Sequence, residues 1–144
     1  VGALSLLKNP SKQPIILMNS DLLTKLDFKS LLNFHNAHDS SLTLCVRDYD
    51  FVIPYGVIKT DGQRLLDIHE KPRESVLVNA GIYIVDHHVL DLIPTNTRID
   101  VTQLIRKLLE NNEKPRVYPI HEYWIDIGQK QDFQRAESEF FSNF

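Results

Sequence analysis

Apolar runs of two different periods alternate along this chain, and that alternation restricts the fold more than any single motif. Pro14–Asn19 (PIILMN) is a continuous apolar run of strand length, the pattern of a strand covered on both faces. Asp27 then stands as an N-cap before Phe28, Leu31, Leu32 and His35, which fall on one helix face. Ser41–Val46 alternates Leu42, Leu44 and Val46 with Thr43 and Cys45, the two-residue period of a strand. Tyr55–Lys59 and Leu65–His69 flank Thr60-Asp61-Gly62-Gln63, and Asp-Gly between two such runs predicts a hairpin. Val76–Val85 reads as a long strand interrupted at Asn79-Ala80-Gly81, where Gly81 admits a bulge or the close approach of a ligand. A short helix is expected over Asp86–Ile93, stopped by Pro94. The clearest helix is Val101–Glu110. There Val101, Leu104, Ile105, Leu108 and Leu109 form one stripe, and Asp100 with Gln103 has capping-box spacing. Arg116–Ile127 reads as a strand, and Gln129–Glu139 as a helix burying Phe133, Ala136 and Phe140. This order predicts an α/β fold, with the hairpin making the sheet a mixed one.

A chain of 144 residues has room for one domain, and 42% apolar with 24% charged residues is a globular balance. The net charge of −3 lacks the basic excess of a phosphate-backbone binder, so no nucleic-acid partner is expected. No apolar stretch approaches the roughly 20 residues that cross a bilayer, so no membrane partner is expected either. The apolar opening Val1–Leu7 lacks a basic region before it and a cleavage site after it, and the chain does not start with Met. It reads as a piece of a longer protein. The single cysteine, Cys45, excludes an internal disulfide and fits a reducing, cytoplasmic compartment. Lying on a strand pattern with no activating charge nearby, it is expected to be an inert buried thiol.

Two carboxylates stand out by position. Asp21 follows directly on the first strand, and Asp126 lies in Trp124-Ile125-Asp126-Ile127-Gly128 at the end of another. Ligands of α/β sheets gather at the carboxyl ends of strands, and Mg²⁺ is commonly held by one or two carboxylates with phosphates and water completing its shell. On spacing alone the commoner role of both residues is to cap turns. Glu70-Lys71-Pro72 follows a strand, and Pro72 is expected to hold Lys71 extended. A lysine there suits a point-charge contact to a phosphate and Glu70 suits acceptance from hydroxyls, although charged strand ends are also commonplace. The histidines offer less. His87 and His88 are adjacent, so on a helix they point about 100° apart and do not share a metal. His35 is expected on a partly buried helix face, and His121 beside Glu122 in a structural role. His38 and His69 have no recognisable partners, and Trp124 is expected in the core.

Taken together, Asn19-Ser20-Asp21, Pro54-Tyr55-Gly56-Val57, Glu70-Lys71-Pro72, Asn79-Ala80-Gly81-Ile82-Tyr83 and Glu122-Tyr123-Trp124-Ile125-Asp126-Ile127-Gly128 resemble the sugar-1-phosphate nucleotidyltransferases. The stretches occur in the family's order, with similar separations, and cover nearly the whole chain. The resemblance is to the mannose-1-phosphate guanylyltransferase and glucose-1-phosphate thymidylyltransferase type. It implies a Rossmann-like mixed sheet of the nucleotide-diphospho-sugar transferase kind. It also implies an in-line reaction, in which a sugar-1-phosphate oxygen attacks the α-phosphorus of a nucleoside triphosphate and pyrophosphate leaves. By motif position, Asp21 and Asp126 would bind the Mg²⁺ that bridges the reacting phosphates, and Lys71 would hold the phosphate of the sugar-1-phosphate. Glu70 would contact sugar hydroxyls, with Tyr55, Gly56, Asn79 and Gly81 lining the sugar pocket.

The chain departs from the family pattern in two places. Ser20 stands where the family motif often has glycine. The family's Gly-rich, Arg-containing triphosphate loop has no counterpart: the five glycines are Gly2, Gly56, Gly62, Gly81 and Gly128, and no two have a phosphate-loop spacing. Val1-Gly2-Ala3-Leu4 resembles the end of the family's base-contacting segment. The resemblance is therefore to the C-terminal part of a single nucleotidyltransferase domain over residues 1–144, lacking the N-terminal strand and phosphate loop. Such a piece alone is expected to be nearly inactive, and its unpaired edge and exposed apolar surface favour homo-oligomers. A non-catalytic sugar-phosphate-binding or interaction module is the alternative. The base stays open among GTP, CTP, UTP and dTTP. The run Pro119–Trp124 most resembles guanylyltransferases, which favours GTP with a mannose- or glucose-like sugar phosphate.

Overall fold

The computed structural model describes residue 4, residues 12–94 and residues 98–144, with the side chain of residue 131 left out. The resemblance carried by Val1-Gly2-Ala3 and most of the apolar opening lies outside the described residues. In chain order the elements are β1 (Ile15–Met18), β2 (Leu22–Thr24), α1 (Phe28–Ala37), β3 (Leu42–Val52), β4 (Gly56–Asp61), β5 (Arg64–Glu70) and β6 (Arg73–Val85). A 3-10 helix (His87–Leu92), α2 (Val101–Glu110), β7 (Arg116–Pro119), β8 (Trp124–Asp126) and α3 (Lys130–Asn143) complete them. The chain divides into two compact units. One contains the residues up to Val46 and from Asn79 onward, and the other is Arg47–Val78.

The larger unit is built on a four-stranded sheet in the order β1-β6-β3-β7. β1 runs antiparallel to β6 and β3 parallel to β7, so the sheet is mixed, as expected. The reason differs from the expected one, because the β4–β5 hairpin forms a separate two-stranded sheet in the smaller unit. Alternation along β6 sends Tyr83 and Val85 to one face, where they pack with Leu42, the 3-10 helix and Leu104 and Leu108 of α2. Ala80, Ile82 and Ile84 face the other way, packing with Cys45, Ile120 and Leu31 of α1. The sheet is therefore covered on both sides, as an α/β architecture requires.

The helices start where their caps direct. Asp27 Oδ1 accepts from Lys29 N at 2.9 Å at the head of α1. Asp100 Oδ1 accepts from Gln103 N at 2.7 Å while Gln103 Oε1 accepts from Asp100 N at 3.0 Å, the reciprocal capping box of α2. Three expectations are corrected. β1 is half covered rather than buried on both faces: it is an edge strand, so Ile15 and Leu17 meet the core while Ile16 and Met18 remain exposed. The run Arg116–Ile127 is two strands: the ladder with β3 closes as Ile120 N donates to Val46 O at 2.8 Å, and the chain then moves on to pair with β2. On α3, Ala136 is buried but Phe133 and Phe140 stay 58% and 43% exposed. β2 and β8 are three residues each, and so short a pair covers only the middle of that stripe.

Candidate functional site

Three of the five motif stretches interlock in the larger unit. β2 and β8 pair antiparallel with Leu22 opposite Asp126, and Ile127 N donates to Asp21 O at 2.7 Å. Asp21 and Asp126 therefore stand one register step apart at the ends of neighbouring strands, both solvent-exposed. Asn19 N donates to Gly81 O at 2.9 Å, tying the Asn19-Ser20-Asp21 turn to β6. Trp124 Nε1 donates to Ala80 O at 2.9 Å, tying β8 to the same place. Gly81 sits at φ +72°, and a Cβ there would lie 2.7 Å from Asn19 Nδ2 and 3.1 Å from Leu22 Cδ1. The glycine is thus demanded twice, by backbone sign and by space. Ser20 is not among the left-handed residues, so its turn needs no glycine.

Asn79 is held from two sides. Its Oδ1 accepts from Gly81 N at 2.9 Å, and the Tyr83 hydroxyl lies 2.7 Å from its Nδ2 and 3.0 Å from its Oδ1. Asp126 Oδ1 accepts from Gly128 N at 2.9 Å, which fixes the carboxylate. Two exposed carboxylates on adjacent strand ends suit a hard divalent cation that keeps waters and takes substrate phosphate oxygens. No group of three or more His, Cys, Asp or Glu donors forms among the described residues.

The other two stretches meet within the smaller unit. Gly56 pairs with Glu70 across β4 and β5, and a Cβ at Gly56 would lie 3.0 Å from Glu70 Oε2. Ile53 N donates to Pro72 O at 3.0 Å, which brings the ends of the hairpin together. Tyr55 is 74% exposed. Lys71 is exposed and adopts φ +44°, not the extended geometry expected before proline. Only Lys71 and Pro72 separate β5 from β6, and so abrupt a reversal needs a left-handed residue, which overrides the local preference.

The remaining candidates have structural partners. Cys45 is fully buried, and burial, aided by the charge of Glu122, pushes its pKa up to about 12. His35 is buried more deeply than expected and shares a 2.8 Å hydrogen bond between its Nδ1 and Thr43 Oγ1. Burial lowers its pKa against the opposing charge of Asp86. His87 and His88 both turn Nδ1 to Asp86 Oδ1, at 2.9 and 2.8 Å. His38 and His69 do have partners, Phe34 O at 2.8 Å and Asp67 Oδ2 at 3.1 Å. Trp124 is half-buried. The sequence reading did not single out Asn19 and Tyr83. The signal for Tyr83 was present, since residues four apart on a strand share a face.

The fold is an α/β one of the nucleotide-diphospho-sugar transferase type. The fold matches the crystal structure of HddC from Yersinia pseudotuberculosis with a TM-score of 0.66 at 24% identity, over 96% of this chain and 61% of that one. The sequence matches the nucleotidyl transferase family over residues 2–142, and the chain belongs to that family. A Sulfolobus acidocaldarius relative is 35% identical over 131 residues, covering 87% of this chain and 35% of that one. Mannose-1-phosphate guanyltransferase 2 of Candida glabrata and mannose-1-phosphate guanyltransferase of Saccharomyces cerevisiae are each 34% identical over 125 residues, 83% of this chain. The chain spans about a third of the length of these curated relatives. Among the described residues no helix is long and apolar enough to cross a membrane.

Proposed function

We propose that this chain is the C-terminal part of a single sugar-1-phosphate nucleotidyltransferase domain working in the cytoplasm. The reaction moves a nucleotidyl group from a nucleoside triphosphate to a sugar-1-phosphate. A phosphate oxygen of the sugar-1-phosphate forms a bond to the α-phosphorus, the bond to the bridging oxygen breaks, and pyrophosphate leaves. The observation that carries this reading is the interlocking of the Asn19-Ser20-Asp21, Asn79-Ala80-Gly81 and Trp124–Gly128 stretches around Gly81, with Asp21 and Asp126 on neighbouring strand ends. The names of the yeast relatives favour mannose-1-phosphate and GTP as the pair.

Asp21 and Asp126 would hold Mg²⁺, which when bound supplies charge neutralisation across the reacting phosphates. Lys71 offers a compact positive charge for the phosphate of the sugar-1-phosphate. Within the smaller unit Glu70 would accept from sugar hydroxyls, with Tyr55 and Gly56 as further sugar contacts; within the larger unit Asn79 and Gly81 would be sugar contacts. The glycines contribute by the absence of a side chain. The chain carries no Gly-rich phosphate loop, so by itself it is expected to bind sugar-1-phosphate and metal with little turnover.

Paramagnetic broadening tests the site. With GTP and mannose-1-phosphate present, Mn²⁺ in place of Mg²⁺ is expected to broaden the amide signals of Leu22 and Ile127 first. Asp21→Ala and Asp126→Ala should each reduce that effect strongly. Equal broadening in the parent chain and both variants would reject the assignment.

A further inference from the structure

Asn79 is exposed, yet its carboxamide is not free to turn. A backbone N–H can only donate, so the atom 2.9 Å from Gly81 N must be the amide oxygen. That contact identifies Nδ2 as the atom 2.7 Å from the Tyr83 oxygen, which also lies 3.0 Å from Oδ1 and so touches both ends of the carboxamide. Tyr83 is itself 2% exposed and packed in the core with Leu42, Val85 and Leu104. Its phenol stays protonated, since burial raises its pKa more than the hydrogen bond to Asn79 lowers it. One of the two Nδ2 hydrogens is used on Tyr83, and the second remains for solvent or ligand.

We propose that the buried Tyr83 hydroxyl is a positioning residue that fixes the Asn79 carboxamide, so that the group offered to a bound sugar is an N–H donor directed at a hydroxyl oxygen. This rests on the reading of Asn79 as a sugar contact. Without the phenol, Gly81 N alone holds Oδ1, and the amide plane can swing about that single bond. The donor is then lost as a fixed feature although no ligand contact has been removed.

Binding of mannose-1-phosphate to the full chain and to Tyr83→Phe, Asn79→Ala and the double variant tests both layers. Tyr83→Phe keeps the ring packing and removes one oxygen. It should weaken binding about fivefold, the worth of one hydrogen bond, and should cost nothing further in the Asn79→Ala background. Wild-type affinity in Tyr83→Phe beside a loss in Asn79→Ala would overturn the positioning role alone. Wild-type affinity in Asn79→Ala, or no binding by the parent chain, would overturn the sugar contact itself. The side-chain amide signals of Asn79 give a second readout that does not depend on any variant folding. In the parent chain one Nδ2 hydrogen should exchange slowly and the other should shift on adding mannose-1-phosphate. Two hydrogens exchanging alike would contradict the proposal, whereas a merely structural Tyr83 would leave these signals unlinked to the ligand.

Discussion

Gly81 is the residue on which three motif stretches converge, and its replacement is the sharpest local test. Alanine there must adopt a left-handed backbone and displace the Asn19 side chain. Gly81→Ala is therefore expected to cost roughly 1–3 kcal/mol in urea unfolding, and a loss near zero would show that the turn adapts. Cys45 makes the opposite kind of prediction. With no exposure and a pKa raised to about 12, it should resist alkylation at pH 8 in the folded chain and react once urea unfolds it. Rapid labelling of the folded chain would contradict its burial. Gly81 and Cys45 were both legible in the sequence, because a glycine inside a strand and a cysteine on an apolar face each carry a local signal. Lys71 was not. The rule for residues before proline is local, whereas the need to join β5 to β6 in two residues belongs to the pairing of whole strands.

At the scale of elements, the 3-10 helix after β6 is tied down by charge. Asp86 Oδ1 caps it through His88 N and receives the His88 ring at 2.8 Å, while His88 Nε2 lies 3.5 Å from Glu113 Oε2 just beyond α2. Burial alone would lower the His88 pKa, but the hydrogen bonds and charges of Asp86 and Glu113 outweigh it and raise the value. Burial likewise raises Asp86, yet the hydrogen bonds from His88 prevail and lower it. The contribution of His88 is thus fully present below its ordinary pKa of about 6.5 and is lost as pH rises through the raised value. That of Asp86 is present above about 3.9 and fades as pH falls through the lowered one. An NMR titration of His88 should show a raised midpoint that falls in Glu113→Gln, and an unchanged midpoint would remove Glu113 from the pair. Helices were the most legible elements, since α1 and α2 announce their caps and stripes. The division of Arg116–Ile127 into β7 and β8 was hidden, because both halves are apolar and only the choice of partner strand separates them.

At the scale of the whole molecule, the two units differ in how they are held. The larger one has two core clusters on either face of its sheet, whereas no residue of Arg47–Val78 is fully buried. Hydrogen exchange should therefore find the amides of β4 and β5 opening at lower free energy than Ile82–Val85 of β6. Equal protection would mean the hairpin is stabilised by more than its own ladder. The mixed α/β class was readable from the alternation of periods. The separation of the hairpin into its own sheet was not, because pairing beyond the turn leaves no mark in local pattern. The candidate site was legible as five stretches, and the structure gathers Asp21, Asn79, Gly81 and Asp126 in one unit while Tyr55, Gly56, Glu70 and Lys71 belong to the other. The proposed reaction is tested by pyrophosphate release from the full-length protein, with Mg²⁺, four nucleoside triphosphates and a panel of sugar-1-phosphates, beside Asp126→Ala. Release with one preferred pair, GTP and mannose-1-phosphate foremost, and its loss in a folded Asp126→Ala variant are the expected results. No release with any pair, or full release in the variant, would contradict the proposed transferase and the place of Asp126 in it.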